Sequence, residues 1–288
     1  MDIRAILVGL AFAFMWSSAF TSARIIVSEA SPLYALSLRF FLAGLIGVGI
    51  AAYLGQTWRL TRTQWKATIL FGICQNALYL GLNFVAMQWV EASVAAIIAS
   101  ALPLLVALAG WLIFRERLGA LGITGLVMGF GGVALIMGAR ITGGVDILGV
   151  VFCGLGALAL TFATLALRNA SSGGNLLMVV GLQMLVGGAV LSVAAYFTET
   201  FHMTPSWKLA AAFAYTVIIP GLTATWTWFW LVNRIGNTRA ATFHFLNPVF
   251  GVAVAALLLG EKLGPLDLIG VAIVTIGILA VQLERQKA

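Results

Sequence analysis

The sequence predicts an all-α integral membrane protein, with ten transmembrane helices arranged as two inverted five-helix repeats around a central cavity. Three observations lead to this fold class. The 288-residue chain is 62% hydrophobic and 9% charged, whereas roughly a quarter of the residues of a typical soluble domain are charged. Apolar segments long enough to span a bilayer recur along the whole chain. Matching residues recur at a fixed offset of 145 positions.

Ten apolar windows are each long enough to cross a hydrocarbon core of about 30 Å as a helix. They lie at 5–27, 33–54, 67–87, 92–114, 119–138, 147–168, 176–197, 208–231, 238–259 and 264–283. The joining segments leave no room for a soluble domain, so any function must reside among the helices. The first window also resembles a secretory signal peptide, since Arg4 precedes it and Thr21-Ser22-Ala23 follows its apolar run. We expect this window to be retained as a helix, because it is long for a signal and has a repeat counterpart.

Prolines, glycines and glutamates at matching positions define the repeat. The pairs are Pro103 with Pro248, Glu116 with Glu261, Gly119 with Gly264, Gly125 with Gly270, Gly132 with Gly277, and Ala95-Ala96 with Ala240-Ala241. One offset of 145 residues holds without an insertion. It predicts two five-helix domains, at 1–138 and 147–288. Because five is an odd number, the second domain must enter the membrane with the opposite orientation.

The distribution of Lys and Arg predicts the topology, since these residues are enriched in cytoplasmic loops. With a cytoplasmic N-terminus, eleven cations are inside: Arg4, Arg59, Arg62, Lys66, Arg115, Arg117, Arg168, Arg234, Arg239, Arg285 and Lys287. Four are outside: Arg24, Arg140, Lys208 and Lys262. Both termini are therefore expected in the cytoplasm, with the chain in a bacterial-type inner (plasma) membrane. The net charge of +7 is mainly a topology signal and does not indicate nucleic-acid binding.

Polar and aromatic side chains within the spans are the candidates for lining the cavity, because polar groups in a membrane face the protein interior or water. The candidates are Trp16, Ser17, Asn76, Tyr79, Asn83, Ser100, Thr161, Thr164, Trp228, His244 and Asn247. Asn76, Tyr79 and Asn83 form one stripe of the third helix. Trp228 occupies the repeat position of Asn83. Hydrogen bonding between helices is the alternative role for any single Asn, Ser or Thr.

Pro103 and Pro248 are predicted to bend the fourth helix of each repeat, since proline removes a backbone hydrogen bond. Two roles are open for these bends: a hinge or cavity-lining bend, or packing geometry alone. Glu116 and Glu261 lie near helix ends, where local hydrogen bonds and charge pairing would fix a turn. Arg39, within the second helix, is expected to extend its guanidinium to the outer surface.

No Asp or Glu lies deep in a predicted span. An exchanger of cationic drugs for protons needs such a carboxylate, and a carrier of phosphorylated solutes needs several buried cations. The absences favour a neutral or zwitterionic solute. His244 could relay a proton or make an ordinary hydrogen bond. Cys74 and Cys153 show no disulfide or metal spacing, and no nucleophile stands beside a base, so we expect no catalytic residue, metal or cofactor.

The chain resembles the EamA-type branch of the drug/metabolite transporter superfamily over essentially its whole length. Two paired motifs carry the resemblance. Ala-Leu-Pro-Leu-Leu-Val-Ala-Leu at 101–108 precedes Arg-Glu-Arg-Leu-Gly at 115–119, and Leu-Asn-Pro-Val-Phe at 246–250 precedes Gly-Glu-Lys-Leu-Gly at 260–264. Met-Trp-Ser-Ser-Ala-Phe at 15–20 is similar to the branch's usual opening. The aromatic content is most similar to that of the YddG-type amino-acid exporters.

The resemblance implies a secondary transporter that exports amino acids across the inner membrane by alternating access. Neutral and aromatic ones such as Trp, Phe, Tyr and Met would be favoured. The expected partners are this small-molecule substrate, the lipid bilayer and, if His244 relays them, protons. Export of another neutral metabolite or drug is the alternative, followed by a passive channel. An intramembrane enzyme has the least support, and the oligomeric state is left open.

Overall fold

The computed structural model describes residues 3–167 and 172–286, apart from the side chains of Asn237 and Thr238. It contains ten helices long and apolar enough to cross a membrane. They are α1 Ile3–Glu29, α2 Pro32–Tyr53, α3 Arg62–Ala86, α4 Ala92–Phe114, α5 Ala120–Thr142, α6 Ile147–Ala166, α7 Leu176–Thr198, α8 Trp207–Ile235, α9 Arg239–Leu259 and α10 Pro265–Arg285. The predicted all-α membrane fold is confirmed. Two cations of the predicted cytoplasmic set, Arg168 and Lys287, lie outside the described residues.

Interruptions of regular helix recur at the offset found in the sequence. A π-helical turn occupies Gly72–Tyr79 in α3 and another occupies Val217–Thr223 in α8. Helix α4 breaks at Ala101, and α9 passes through a 3₁₀ turn at Phe243–Leu246. Both breaks precede a proline at the second position of the next α-helical segment. These matched interruptions release backbone groups inside the membrane, which a spanning chain tolerates only where neighbouring protein satisfies them.

The chain divides into two compact units, and each takes helices from both halves of the sequence. The first unit comprises Met1–Thr21, Trp89–Val151 and Thr223–Ala288. The second unit comprises Ser22–Gln88 and Phe152–Leu222. Helices α4, α5, α9 and α10 belong wholly to the first, and α2, α3 and α7 to the second. The division of the sequence into two repeats at 1–138 and 147–288 stays a prediction.

In the first unit, α5 and α10 pack closely through glycines. A Cβ added at Gly125 would lie 2.8 Å from the Gly277 carbonyl oxygen, and one at Gly132 would lie 2.9 Å from that of Gly270. The contacts cross, so the two helices run antiparallel. Small residues let helix backbones approach in a membrane, where packing rather than the hydrophobic effect holds helices together.

An ionic cluster joins three helix ends of the first unit. Arg140, near the end of α5, donates from Nε and Nη2 to the two carboxylate oxygens of Asp267 in α10, at 3.0 Å each. Arg140 also contacts Glu91, which precedes α4. Glu261 accepts backbone hydrogen bonds from Ala92 at 2.8 Å and Ser93 at 3.0 Å. Glu261 therefore caps α4 across the unit, in addition to any local role in its own turn.

In the second unit, α2 packs along α7. Ser37 donates to the Gly188 carbonyl at 2.8 Å, and a Cβ at Gly44 would lie 3.0 Å from the Gly181 carbonyl oxygen. Glu199, just beyond α7, accepts from the backbone N–H groups of Leu33 and Tyr34. Burial raises the pKa of this carboxyl, and the two backbone donors oppose the rise. The first turn of α2 is therefore capped by a glutamate distant in sequence, as the first turn of α4 is.

Substitution at adjacent glycines of α5 tests the close packing against α10. A Cβ at Gly132 would lie 2.8 Å from Val274 Cγ2, whereas one at Gly131 meets nothing within 4 Å. We expect Gly132→Ala to lower the free energy of unfolding by about 1–3 kcal/mol through overpacking. Gly131→Ala carries no such penalty and has the better helix propensity. Thermal unfolding of the two variants in detergent measures the difference, and equal unfolding temperatures would contradict the packing.

Candidate functional site

Aromatic and polar side chains meet in the first unit, contributed by α1, α8 and α9. The ring centroid of Phe12 lies 5.8 Å from that of Trp16, 5.1 Å from that of Trp228 and 5.3 Å from that of His244. The Trp228 and His244 centroids are 5.4 Å apart. These separations are within the range at which aromatic rings attract one another. We call these four side chains, with Ser17 and Asn247, the aromatic cluster.

Hydrogen bonds connect the polar members of the aromatic cluster. The Ser17 hydroxyl donates to Asn247 Oδ1 at 3.3 Å, and Asn247 Nδ2 lies 2.9 Å from His244 Nδ1. The 3₁₀ turn at Phe243–Leu246 brings the second pair together, because side chains three residues apart eclipse in a 3₁₀ helix. The break before Pro248 therefore determines the geometry of this site as well as the course of α9.

Five of the predicted cavity residues thus lie together in the first unit: Trp16, Ser17, Trp228, His244 and Asn247. Sequence reasoning missed Phe12, the ring that contacts three of the others. Phe12 is 1% exposed, and its packing partners include Leu231 and Phe243. A phenylalanine within an apolar run carries no signal that separates it from lipid-facing neighbours such as Phe14, which is 45% exposed.

The predicted stripe on α3 lies in the second unit, and all three of its members are buried. Asn83 donates from Nδ2 to the Tyr79 carbonyl at 2.7 Å, while its Oδ1 has no partner within the described residues. Gly156 of α6 packs here, since a Cβ on it would lie 3.0 Å from the Tyr79 carbonyl oxygen. Asn76 packs against Gly187 of α7. The π-helical turn alters the spacing that the sequence predicted, but these polar groups stay interior.

Three predicted cavity hydroxyls bond within their own helices. Thr161 donates to the Ala157 carbonyl and Thr164 to the Leu160 carbonyl, each at 2.8 Å. Ser100 donates to the Ile97 carbonyl at 2.7 Å. Such backbone bonds satisfy a hydroxyl in a membrane without another helix or a solute. For these three residues a role in a cavity stays a prediction.

The expectation for Arg39 was wrong. The residue is 7% exposed and does not reach the surface. Its Nε donates to the Thr216 carbonyl at 3.3 Å, and its guanidinium lies 4.9 Å from the Phe40 ring centroid. Thr216 precedes Pro220 by four residues, and proline has no N–H to offer a carbonyl at that spacing. The π-helical turn at Val217–Thr223 moves the helix's own hydrogen bonds to the residue five positions on, so the bond from Arg39 adds a second donor to this carbonyl.

No group of three or more His, Cys, Asp or Glu residues that could hold a metal ion occurs within 3–167 and 172–286. Cys74 and Cys153 are buried free thiols. The aromatic cluster itself offers flat apolar faces and a short series of neutral hydrogen-bonding groups.

Ten candidate spans define a multi-pass membrane protein, and comparison with known proteins identifies its family as one of transporters. The chain belongs to the EamA-like transporter family, whose sequence model matches residues 3–138 and 147–283.

Curated relatives cover nearly the full length. The chain is 24% identical over 280 residues to "Uncharacterized transporter YvbV" of Bacillus subtilis, covering 95% of this chain and 90% of that one. It is 23% identical over 279 residues to "Uncharacterized inner membrane transporter YedA" of Escherichia coli, covering 94% and 88%. A crystal structure covers 98% of this chain with a TM-score of 0.69 and 19% identity, which shows a shared fold.

The hydrogen bonds of the aromatic cluster predict one tautomer of His244. Because the Ser17 hydroxyl donates to Asn247 Oδ1, the amide nitrogen is left to donate to His244 Nδ1. We expect a neutral ring with its proton on Nε2, read from histidine ¹⁵N chemical shifts. His202→Gln removes the only other histidine signal. Asn247→Leu should weaken the preference, and a proton found on Nδ1 would contradict the described hydrogen bonds.

Proposed function

We propose that this chain is a secondary transporter that exports neutral amino acids, favouring aromatic ones and Met, by alternating access. The observation that carries the proposal is the aromatic cluster of the first unit, which contains no charged side chain. Membership of a transporter family supports the transport role. The amino-acid substrate and the likeness to YddG-type exporters are our inference from the residues.

The composition of the aromatic cluster suits a solute with an apolar side chain. Phe12, Trp16 and Trp228 offer ring faces, and ligand sites typically combine such apolar lining with a few orienting polar groups. Ser17, His244 and Asn247 supply those groups. They are neutral donors and acceptors, which can orient a zwitterion without favouring a net charge.

The rings now contact one another, so a solute must displace some of these contacts to bind. Aromatic pairs contribute about 0.5–1.5 kcal/mol beyond the area they bury. A solute that carries its own ring can replace such a contact, whereas a small polar solute cannot. This comparison favours Trp, Phe and Tyr over small amino acids, and the flexible thioether of Met makes similar contacts.

Two other solute classes have less support. A cationic drug would need a carboxylate, and the carboxylates described above lie at helix ends in the ionic cluster or as caps. A phosphorylated solute would need several buried cations. An uncharged metabolite or drug fits the aromatic cluster as well as an amino acid does, and is the second candidate. A passive channel would more naturally show a ring of polar groups around a pore.

We further propose that the protein lies in the inner membrane of a bacterial-type cell, with both termini cytoplasmic. The name of the YedA relative supports this location, and the excess of Lys and Arg on one side supports the orientation. Transport coupled to protons through His244 is compatible with its place in the aromatic cluster. Coupling would appear as uptake driven by a pH difference and lost in His244→Gln.

Uptake into liposomes that contain the purified chain tests the proposal. We expect labelled Trp, Phe or Met to accumulate above the level in empty liposomes. Trp228→Ala should lower kcat/KM for Trp and Phe about tenfold, equivalent to ~1.4 kcal/mol, because it removes a ring that contacts Phe12 and His244.

Trp226→Ala is the matched control, since Trp226 lies two positions away on α8 and is 63% exposed. It should transport like the unaltered protein. Equal losses in both variants would contradict the role of the aromatic cluster. Absence of transport for every amino acid would overturn the substrate class, and a screen of uncharged metabolites would then follow.

A further inference from the structure

Arg39 is a buried arginine of the second unit, and its charge has no part in the aromatic cluster. It lies seven residues after Pro32, about 10 Å along α2 at 1.5 Å per residue. It is 7% exposed. Arginine stays protonated in proteins, so a positive charge is held inside a membrane-spanning unit. Such residues are costly and commonly mark the path of a substrate or ion.

No carboxylate within the described residues forms an ion pair with Arg39. The second unit contains two acidic residues, Glu29 and Glu199. Glu29 accepts from the Ser206 hydroxyl, and Glu199 accepts from backbone N–H groups at the start of α2. Both acids are engaged at helix ends. A buried charge without a countercharge is unfavourable, which makes an anionic ligand the natural partner.

The guanidinium is held in one orientation with its outer edge unused. Nε donates to the Thr216 carbonyl, and the Phe40 ring lies against the group. The two Nη amino groups have no hydrogen-bond partner in the described part of the chain. They also border accessible space. Among the described residues, the side-chain polar atoms that are both fully buried and without a hydrogen-bond partner belong to Thr21, Asn83 and Ser93, and not to Arg39. The paired Nη groups are the fork that binds a carboxylate with two parallel hydrogen bonds.

Support of the Thr216 carbonyl alone does not require an arginine. A neutral donor such as glutamine could make one hydrogen bond without burying a charge. The repeat position of Arg39 is Met184, also within a spanning helix, so this place in the fold accepts an uncharged side chain. Gly221 lies beside the fork, since a Cβ added there would be 3.7 Å from Nη2.

We infer that Arg39 is a binding site for the carboxylate of a solute, through its two Nη groups. The inference deepens the proposed function, since an amino acid carries such a carboxylate, but it rests on residues of the second unit alone. Its ligand class is a monocarboxylate with an apolar body. Hydrogen bonds to a charged group are worth about 1.5–3 kcal/mol, so loss of the site should weaken binding on the order of tenfold to a hundredfold.

Two small probes that differ only in charge test the inference without a transport assay. The thermal unfolding temperature of the full-length protein in detergent is measured against increasing phenylacetate or phenylacetamide. We expect phenylacetate to raise the temperature with saturation and phenylacetamide to leave it unchanged. Arg39→Gln keeps a donor for Thr216 and should abolish the phenylacetate effect. Arg59→Met removes an exposed arginine of the same unit and should retain it.

Equal effects of the two probes on the unaltered protein would overturn the inference, even if Arg39→Gln fails to fold. A phenylacetate effect that persists in Arg39→Gln would overturn it as well. Failure here with intact phenylalanine transport would leave the proposed function standing. A phenylacetate effect lost in Arg39→Gln, without amino-acid transport, would support the carboxylate site and overturn the proposed substrate class.

Discussion

The fold depends on one constraint: a spanning chain must satisfy its backbone hydrogen-bonding groups without water. The departures from regular helix show how this chain does so. Arg39 donates to the Thr216 carbonyl at the π-helical turn of α8. Glu261 caps α4 and Glu199 caps α2. Charged groups that would be costly in lipid are thus used as partners for backbone groups, mostly at helix ends, and the aromatic cluster contains no charged side chain.

The sequence predicted the elements well because transmembrane helices are recognised by length and hydropathy. The window at 92–114 coincides with α4, and the other windows differ from the observed helices by a few residues at their ends. The π-helical turn of α3 was not predictable, since no residue type marks Gly72–Tyr79 as different from ordinary helix, whereas the one in α8 contains Pro220. Partners distant in sequence were also missed. Glu261 had been assigned to its own turn, and Arg39 to the surface, because a single sequence does not show which helix lies opposite.

The candidate site was predictable where polar residues stand out against an apolar background. His244 and Asn247 were recognised by this contrast, and the 3₁₀ turn then brought them into contact. The same contrast failed for Thr164, whose hydroxyl is satisfied by its own helix, and it gave no signal for Phe12. Polarity therefore identifies which side chains need a hydrogen-bond partner. Whether that partner is the residue's own helix, a neighbouring helix or a solute depends on three-dimensional packing.

The central claim is that a carrier of neutral amino acids operates through this arrangement, and counterflow tests it most directly. Liposomes containing the purified chain are loaded with unlabelled phenylalanine and diluted into labelled phenylalanine. The account predicts a transient accumulation of label above equilibrium, with saturation at high external concentration. A carrier that has released unlabelled phenylalanine outside returns to the inside with labelled phenylalanine bound. Label that only equilibrates, at a rate that rises linearly with concentration, would indicate a channel and contradict the account.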